Sequence, residues 1–243
     1  KVVSPIDDTP AAKAGLKPGD FISEIDGAAV MGLTLQDAVD KMRGTIGSTV
    51  KIMILREGLK EPLKVSIQRD LIKIQSVRSR TEDDVAYLRI TSFSENTAEN
   101  MKAAFEKEKK VIGPKLKGVV LDLRNNPGGL LDQAVEMADA FLDHGEIVST
   151  RSRKSEDSRR YSAKAGDIAK DLPIVVLINE GSASASEIVA GALKDHKRGV
   201  VMGAKSFGKG SVQTVIPIES HGAIRLTTAR YYTPSGVSIQ AKG

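Results

Sequence analysis

A chain of 243 residues is long enough for one or two domains, and its 40% hydrophobic content supports an ordinary buried core. The formal net charge of +5 comes from 36 basic residues dispersed among 31 acidic ones, and only 4% of residues are aromatic with no tryptophan, so no nucleic-acid partner read by base stacking is expected. The lack of cysteine excludes disulfides, thiol catalysis and cysteine metal sites, three scattered histidines offer no zinc set, and no cofactor is expected.

In chain order, Lys1-Val2-Val3-Ser4-Pro5 reads as a strand and turn. Asp8-Thr9-Pro10-Ala11-Ala12 offers a helix start with proline in the first turn, and Ala14 to Asp20 ends it tightly. Phe21 to Ile25 reads as a strand before an Asp26-Gly27 turn, and Thr34 caps a helix with Leu35, Ala38, Val39 and Met42 on one face. Two strands follow, Val50 to Arg56 and Leu63 to Arg69, joined through Glu57-Gly58. Residues 1–72 form this first unit.

Residues 73–243 form the second. Val85 to Ile90 reads as a strand and Asn96 to Val111 as an amphipathic helix. Val119 to Leu123 is a buried-type strand, Leu130 to Leu142 a helix, and Glu146 to Thr150 a strand. The charge-mixed stretch 151–160 reads as a surface loop. Ile174 to Ile178, a helix after Ser184 and Val200 to Gly203 repeat the strand-helix-strand order, and Val212 to Ile218 and Ala223 to Thr233 close the chain. This alternation predicts an α/β layered core.

Chemistry concentrates in two segments. Gly181-Ser182-Ala183-Ser184-Ala185-Ser186-Glu187 lies where a strand gives way to a helix, and a serine at such a turn has helix N-terminal amides beside it for an oxyanion. Phe207-Gly208-Lys209-Gly210-Ser211-Val212-Gln213 supplies a lysine flanked by glycines, whereas His144, His196 and His221 have no special setting. A free lysine, with a pKa of about 10.4, is neutral about once in 2500 molecules at pH 7. As a base, Lys209 is therefore expected to be partly buried and without a carboxylate partner. From the residues alone, Ser182 and Ser186 compete with Ser184, and Lys205 competes with Lys209.

These two blocks, together with Leu121-Asp122-Leu123-Arg124-Asn125-Asn126-Pro127-Gly128-Gly129, resemble the motifs of the carboxyl-terminal processing (tail-specific) proteases in the same order. The resemblance implies a Clp-protease/crotonase-like core preceded by a circularly permuted PDZ-like domain truncated at its start. It implies a Ser-Lys endopeptidase with Ser184 as nucleophile, Lys209 as base, Gln213 orienting the lysine, and an oxyanion hole of the Ala185 amide with Gly128 or Gly129. Asp195 falls on a position important in some members, although its neighbours Lys194, Lys197 and Arg198 also suit a surface ion pair. Gln213 equally suits a plain sheet position. The resemblance further implies protein or peptide substrates with exposed C-terminal tails, an adaptor protein, homo-oligomers in some members, and a periplasmic or cell-envelope location. Arg69, at the junction, is a candidate relay between the units, with a surface contact as the alternative. A non-catalytic PDZ adaptor and a crotonase-like acyl-CoA enzyme are the rival readings.

Overall fold

The computed structural model describes residues 1–6, 9–72, 75–218 and 222–243. Asp8 and His221 therefore lie outside the described residues. The chain divides into two compact units, Lys1–Gln75 and Ser76–Gly243. The junction expected after residue 72 abuts residues 73 and 74, which also lie outside them.

The first unit opens with a single helical turn, α1 (Pro10–Lys13), which Thr9 caps by accepting the Ala12 amide. Strands β1 (Phe21–Ile25) and β2 (Ala28–Ala29) meet at Asp26-Gly27, both at positive φ as a tight two-residue hairpin requires. Helix α2 (Leu35–Met42) starts at a capping box between Thr34 and Asp37, and β3 (Thr49–Leu55) and β4 (Leu63–Gln68) complete an antiparallel sheet ordered β2-β1-β3-β4. Val50, Ile52 and Ile54 alternate inward along β3 and pack with Ile25, Leu16 and Ala38. Two expectations fail here. Lys1 to Pro5 form no strand, and Val2 instead exchanges main-chain hydrogen bonds with Gly19 and Asp20. Of the expected α2 face Ala38 is buried and Met42 packs half-buried on the core, but Leu35 falls in the first turn beside the capping box, where it is 81% exposed.

The second unit runs β5 (Val77–Glu82), β6 (Val85–Ile90), α3 (Thr97–Ile112), β7 (Gly118–Asp122), α4 (Leu131–Asp139), β8 (Glu146–Ser152), β9 (Arg159–Ser162), β10 (Ile174–Ile178), α5 (Ala185–Asp195), β11 (Gly199–Gly203), β12 (Ser211–Ile218) and β13 (Gly222–Tyr232). One sheet is ordered β11-β10-β7-β6-β5, with four parallel strands and β5 antiparallel at the edge. Parallel neighbours need a crossover, which α3 supplies between β6 and β7 and α5 between β10 and β11. The other sheet is antiparallel, ordered β12-β13-β8-β9. Leu88, Leu121 and Val176 from the strands meet Met101, Phe105, Met137, Val189 and Leu193 from the helices in one core. The expected surface loop in 151–160 is narrower than the stretch: β8 continues through Ser152 and β9 begins at Arg159, so residues 153–158 form the loop of a hairpin.

This arrangement puts the turns after β7 and β10 side by side at the carboxyl ends of adjacent parallel strands. Ligand sites in open α/β sheets form at such ends.

Candidate active site

The turn after β10 brings Ser184 to the N-cap of α5 with φ +55° and ψ −112°, a strained conformation for a residue with a side chain. Such an elbow between strand and helix holds a hydroxyl out of the main-chain ladder. The two rival serines are spent elsewhere. Ser182 and Ser186 are fully buried, and their hydroxyls donate to the Leu123 and Asn126 carbonyls at 2.8 and 2.9 Å. Ser184 is half-buried, and its hydroxyl donates to nothing among the described residues.

The turn after β7 is bound to this elbow. Asn125 and Asn179 exchange hydrogen bonds, each at 2.7 Å, and the Ala183 amide donates to the Asn126 carbonyl at 2.9 Å. Beneath it, the buried Asp122 accepts from Arg124, from its amide and from the Tyr87 hydroxyl, with Arg89 at 3.7 Å. Burial pushes the Asp122 carboxyl up, but the bonds from Arg124 and Tyr87 and the nearby Arg89 charge outweigh it and hold the group below the ordinary carboxylate range.

Gly128 sits against the elbow so closely that a Cβ there would lie 2.7 Å from the Ala183 carbonyl oxygen and 2.9 Å from the Ala185 nitrogen. Its φ of +97° also suits glycine alone. The Gly128 amide is engaged, donating to Asn126 Oδ1 at 2.9 Å. The amides of Gly129 and Ala185 have no acceptor among the described residues.

Lys209 belongs to the loop 204–210 between β11 and β12, and that loop reaches the elbow through Glu187. The Glu187 Oε2 atom accepts both the Ser184 amide at 2.8 Å and the Lys209 amide at 2.9 Å. Because the two bonds share one oxygen, the two backbone nitrogens lie no further apart than those bonds laid end to end, within reach of a lysine side chain. Lys209 differs from expectation in its surroundings: its side chain is exposed rather than partly buried, because the loop buries Gly208 and Gly210 and turns the residue between them outward. It pairs with no carboxylate among the described residues. No hydrogen bond joins its amine to Ser184 or to Gln213, which is exposed at a bulge of β12 opposite Thr227. Lys205 is exposed too and has no tie to the Ser184 amide.

Asp195 is the last residue of α5, so it lies roughly 16 Å along the axis from Ser184. It forms no ion pair with its basic neighbours among the described residues. Instead it holds the turn at 233–236, accepting the Ser235 amide at 2.9 Å. Burial raises its pKa, but hydrogen bonds from Thr233 and Ser235 leave it lowered overall. Arg69 is spent within its own unit, donating to the Met42 and Lys41 carbonyls at the end of α2 and to the Ser48 hydroxyl.

Glu187 went unread as a site residue in the sequence. Its signal is the Ser-x-x-Glu spacing of a helix start, Ser184 to Glu187.

A model of peptidase family S41 matches residues 84–243, and a PDZ-domain model matches residues 1–56. The chain belongs to peptidase family S41. It is 59% identical, over its whole length, to a carboxy-terminal-processing protease of Bartonella bacilliformis, of which it covers 56%. A probable CtpA-like serine protease of Staphylococcus haemolyticus is 40% identical and covered to 48%. The chain thus spans about half the length of these curated relatives. Among solved structures, a photosystem II D1 C-terminal processing protease superposes over the entire chain with a TM-score of 0.90 and 36% identity, covering 65% of that protein. Mature CPAF, at 15% identity and a TM-score of 0.55, shares the fold.

Proposed function

We propose that this chain carries the Ser-Lys centre of a serine endopeptidase that selects protein substrates by their C-terminal tails. The observation that carries this is the elbow itself: of three serines in the run, Ser182 and Ser186 donate their hydroxyls to main-chain carbonyls while Ser184 donates to no group among the described residues, and its amide shares an acceptor with that of Lys209. Ser184 Oγ attacks the scissile carbonyl carbon while its proton passes to the Lys209 amine. The Ala185 and Gly129 amides, both without acceptors among the described residues, take the oxyanion; the Gly128 amide is already committed to Asn126 and shapes the turn instead. Collapse of the tetrahedral intermediate expels the amine, which takes the proton from Lys209, and leaves an acyl-enzyme. Water, deprotonated by the same lysine, then releases the acid.

A neutral amine requires desolvation, and Lys209 is open to solvent, so the substrate itself covers it on binding. Gln213, two residues into β12, lies on the strand that leads away from the lysine and orients the amine in that covered state. Asp195 acts at a distance by holding the turn at 233–236. Beyond that turn, the Gln240 side chain accepts the Gly210 amide at 3.0 Å and the Ala241 amide donates to the Gly208 carbonyl at 2.8 Å.

Residues 1–72 are the tail-binding PDZ-like domain and 73–243 the protease core. An apolar cleft of about 580 Å³, lined by Val2, Leu16, Ile22, Met42, Val50 and Ile67, supports tail capture in the first. An exported, periplasmic or envelope location and assistance by an adaptor or a second copy belong to the same proposal.

The test is turnover of an unfolded protein such as casein. Ser184→Ala and Lys209→Ala each abolish cleavage while circular dichroism stays that of the unaltered chain. Full activity in either variant refutes the pair. Binding of tails with no turnover in any variant would favour a PDZ adaptor instead.

A further inference from the structure

Glu187 is 6% exposed, yet both of its carboxylate oxygens are fully used. Oε2 accepts the Ser184 and Lys209 amides, and Oε1 accepts the Gly208 amide at 2.7 Å and the Ser206 hydroxyl at 2.8 Å. Three of the four donors are main-chain N–H groups, which cannot reverse their role. The loop 204–210 has other anchors: the Phe207 amide donates to the Ser182 carbonyl, and Gly208 and Gly210 bond to residues 240 and 241. Among the described residues, only the Glu187 carboxylate joins that loop to the amide of the serine itself.

We propose, resting on the Ser-Lys reading, that Glu187 is a positioning residue whose charge sets the spacing between nucleophile and base. It stabilises the strained turn at Ser184 and docks the lysine loop with the same two oxygens. A carboxylate fits this task because it accepts on both oxygens and donates on neither. Glutamine has the same shape, but its NH₂ group must face two donors, either the Ser184 and Lys209 amides or Gly208 and Ser206. A residue that merely filled space would tolerate that exchange; a positioning carboxylate does not.

In the whole protein, Glu187→Gln lowers kcat by about 100-fold with KM within about twofold, the size of loss that a displacement of about 1 Å produces at a reacting centre. Ser206→Ala removes one donor and lowers kcat by about fivefold. The double variant is no slower than Glu187→Gln alone, because Ser206 acts only through that carboxylate. Glu187→Gln with kcat within twofold of the unaltered enzyme overturns the proposal, as do strictly multiplicative losses in the double variant. If Glu187→Gln fails to fold, Ser206→Ala decides: an unchanged kcat overturns the proposal, and a loss of kcat at constant KM supports it. Ser184→Ala and Lys209→Ala run alongside separate the two levels. Inactive dyad variants beside a normal Glu187→Gln sink the positioning role alone, whereas an active Ser184→Ala sinks the Ser-Lys centre on which it rests.

Discussion

Asp122 carries its charge at 2% exposure, so its three partners decide whether it stabilises the turn above it. Replacing it by asparagine leaves Arg89 and Arg124 without their counter-charge and costs about 3 kcal/mol at neutral pH, measured by urea unfolding. Its pKa is lowered in the folded chain, so the unfolded chain binds the extra proton first. The stability it contributes is full above the ordinary carboxylate pKa and drains away as pH falls through the folded value. Between pH 5 and pH 2 the asparagine variant should therefore lose less stability than the unaltered protein; equal slopes would remove Asp122 from the network. At Gly128 the constraint is steric. Gly128→Ala forces a Cβ into the Ala183 carbonyl at a φ reserved for glycine, and about a 100-fold fall in kcat is expected with the melting transition still cooperative. Residue types at this site were legible because serine, lysine and paired glycines each answer a local demand. The solvent exposure of Lys209 was not legible, since Gly-Lys-Gly says nothing about what packs over the loop. Nor was the fate of Ser182 and Ser186, which depends on carbonyls 59 and 60 residues away.

Elements declared themselves in proportion to how apolar they are. β7 and β10 lie inside the parallel sheet and read as near-continuous Val, Ile and Leu, so their sequences located them within a residue or two. β5 is an edge strand reading Val-Arg-Ser-Arg-Thr-Glu, with no hydrophobic alternation to betray it. What seats it is polar: the Ser79 and Thr81 hydroxyls, two residues apart on one face, donate to the two oxygens of Glu108 at 2.7 and 2.8 Å. Glu108 is the buried acid on α3, a helix whose charges otherwise read as a solvated side. Burial pushes its pKa up, but the two hydroxyls and Lys107 leave it lowered. Glu108→Ala strands both hydroxyls against the helix, and a loss of about 2 kcal/mol is expected in denaturant unfolding. The change should be far smaller in a Ser79→Ala, Thr81→Ala background. Additive losses across the three substitutions would mean that β5 is held by its ladder to β6 alone.

At the scale of the whole chain, the two units keep separate cores. Leu16, Ile25, Ala38, Val50, Ile52 and Ile54 belong to one, and residues from Ala86 onward to the other. The sequence showed this division as a change of pattern, from short antiparallel strands to alternating strands and helices. Its exact junction stayed hidden in the stretch Asp70-Leu71-Ile72-Lys73-Ile74-Gln75-Ser76, which has no glycine or proline to mark a linker. The aromatic residues offer a way to watch the units one at a time. The chain has no tryptophan, and its four tyrosines, Tyr87, Tyr161, Tyr231 and Tyr232, all fall in the second unit, so tyrosine fluorescence reports on that unit alone. Ile54 is fully buried in the first core, and Ile54→Ala costs that unit about 3 kcal/mol through lost burial and a cavity. The expected outcome is a lower first transition by far-ultraviolet circular dichroism with an unchanged midpoint by tyrosine fluorescence. If residues 1–72 select tails and Ser184 cleaves, the same variant should process a short unstructured peptide at the original rate yet lose the advantage of a protein bearing a favoured tail. A tyrosine midpoint that falls in step with the dichroism would instead make the two cores one cooperative block, and loss of peptide turnover as well would place the first unit within the chemistry rather than ahead of it.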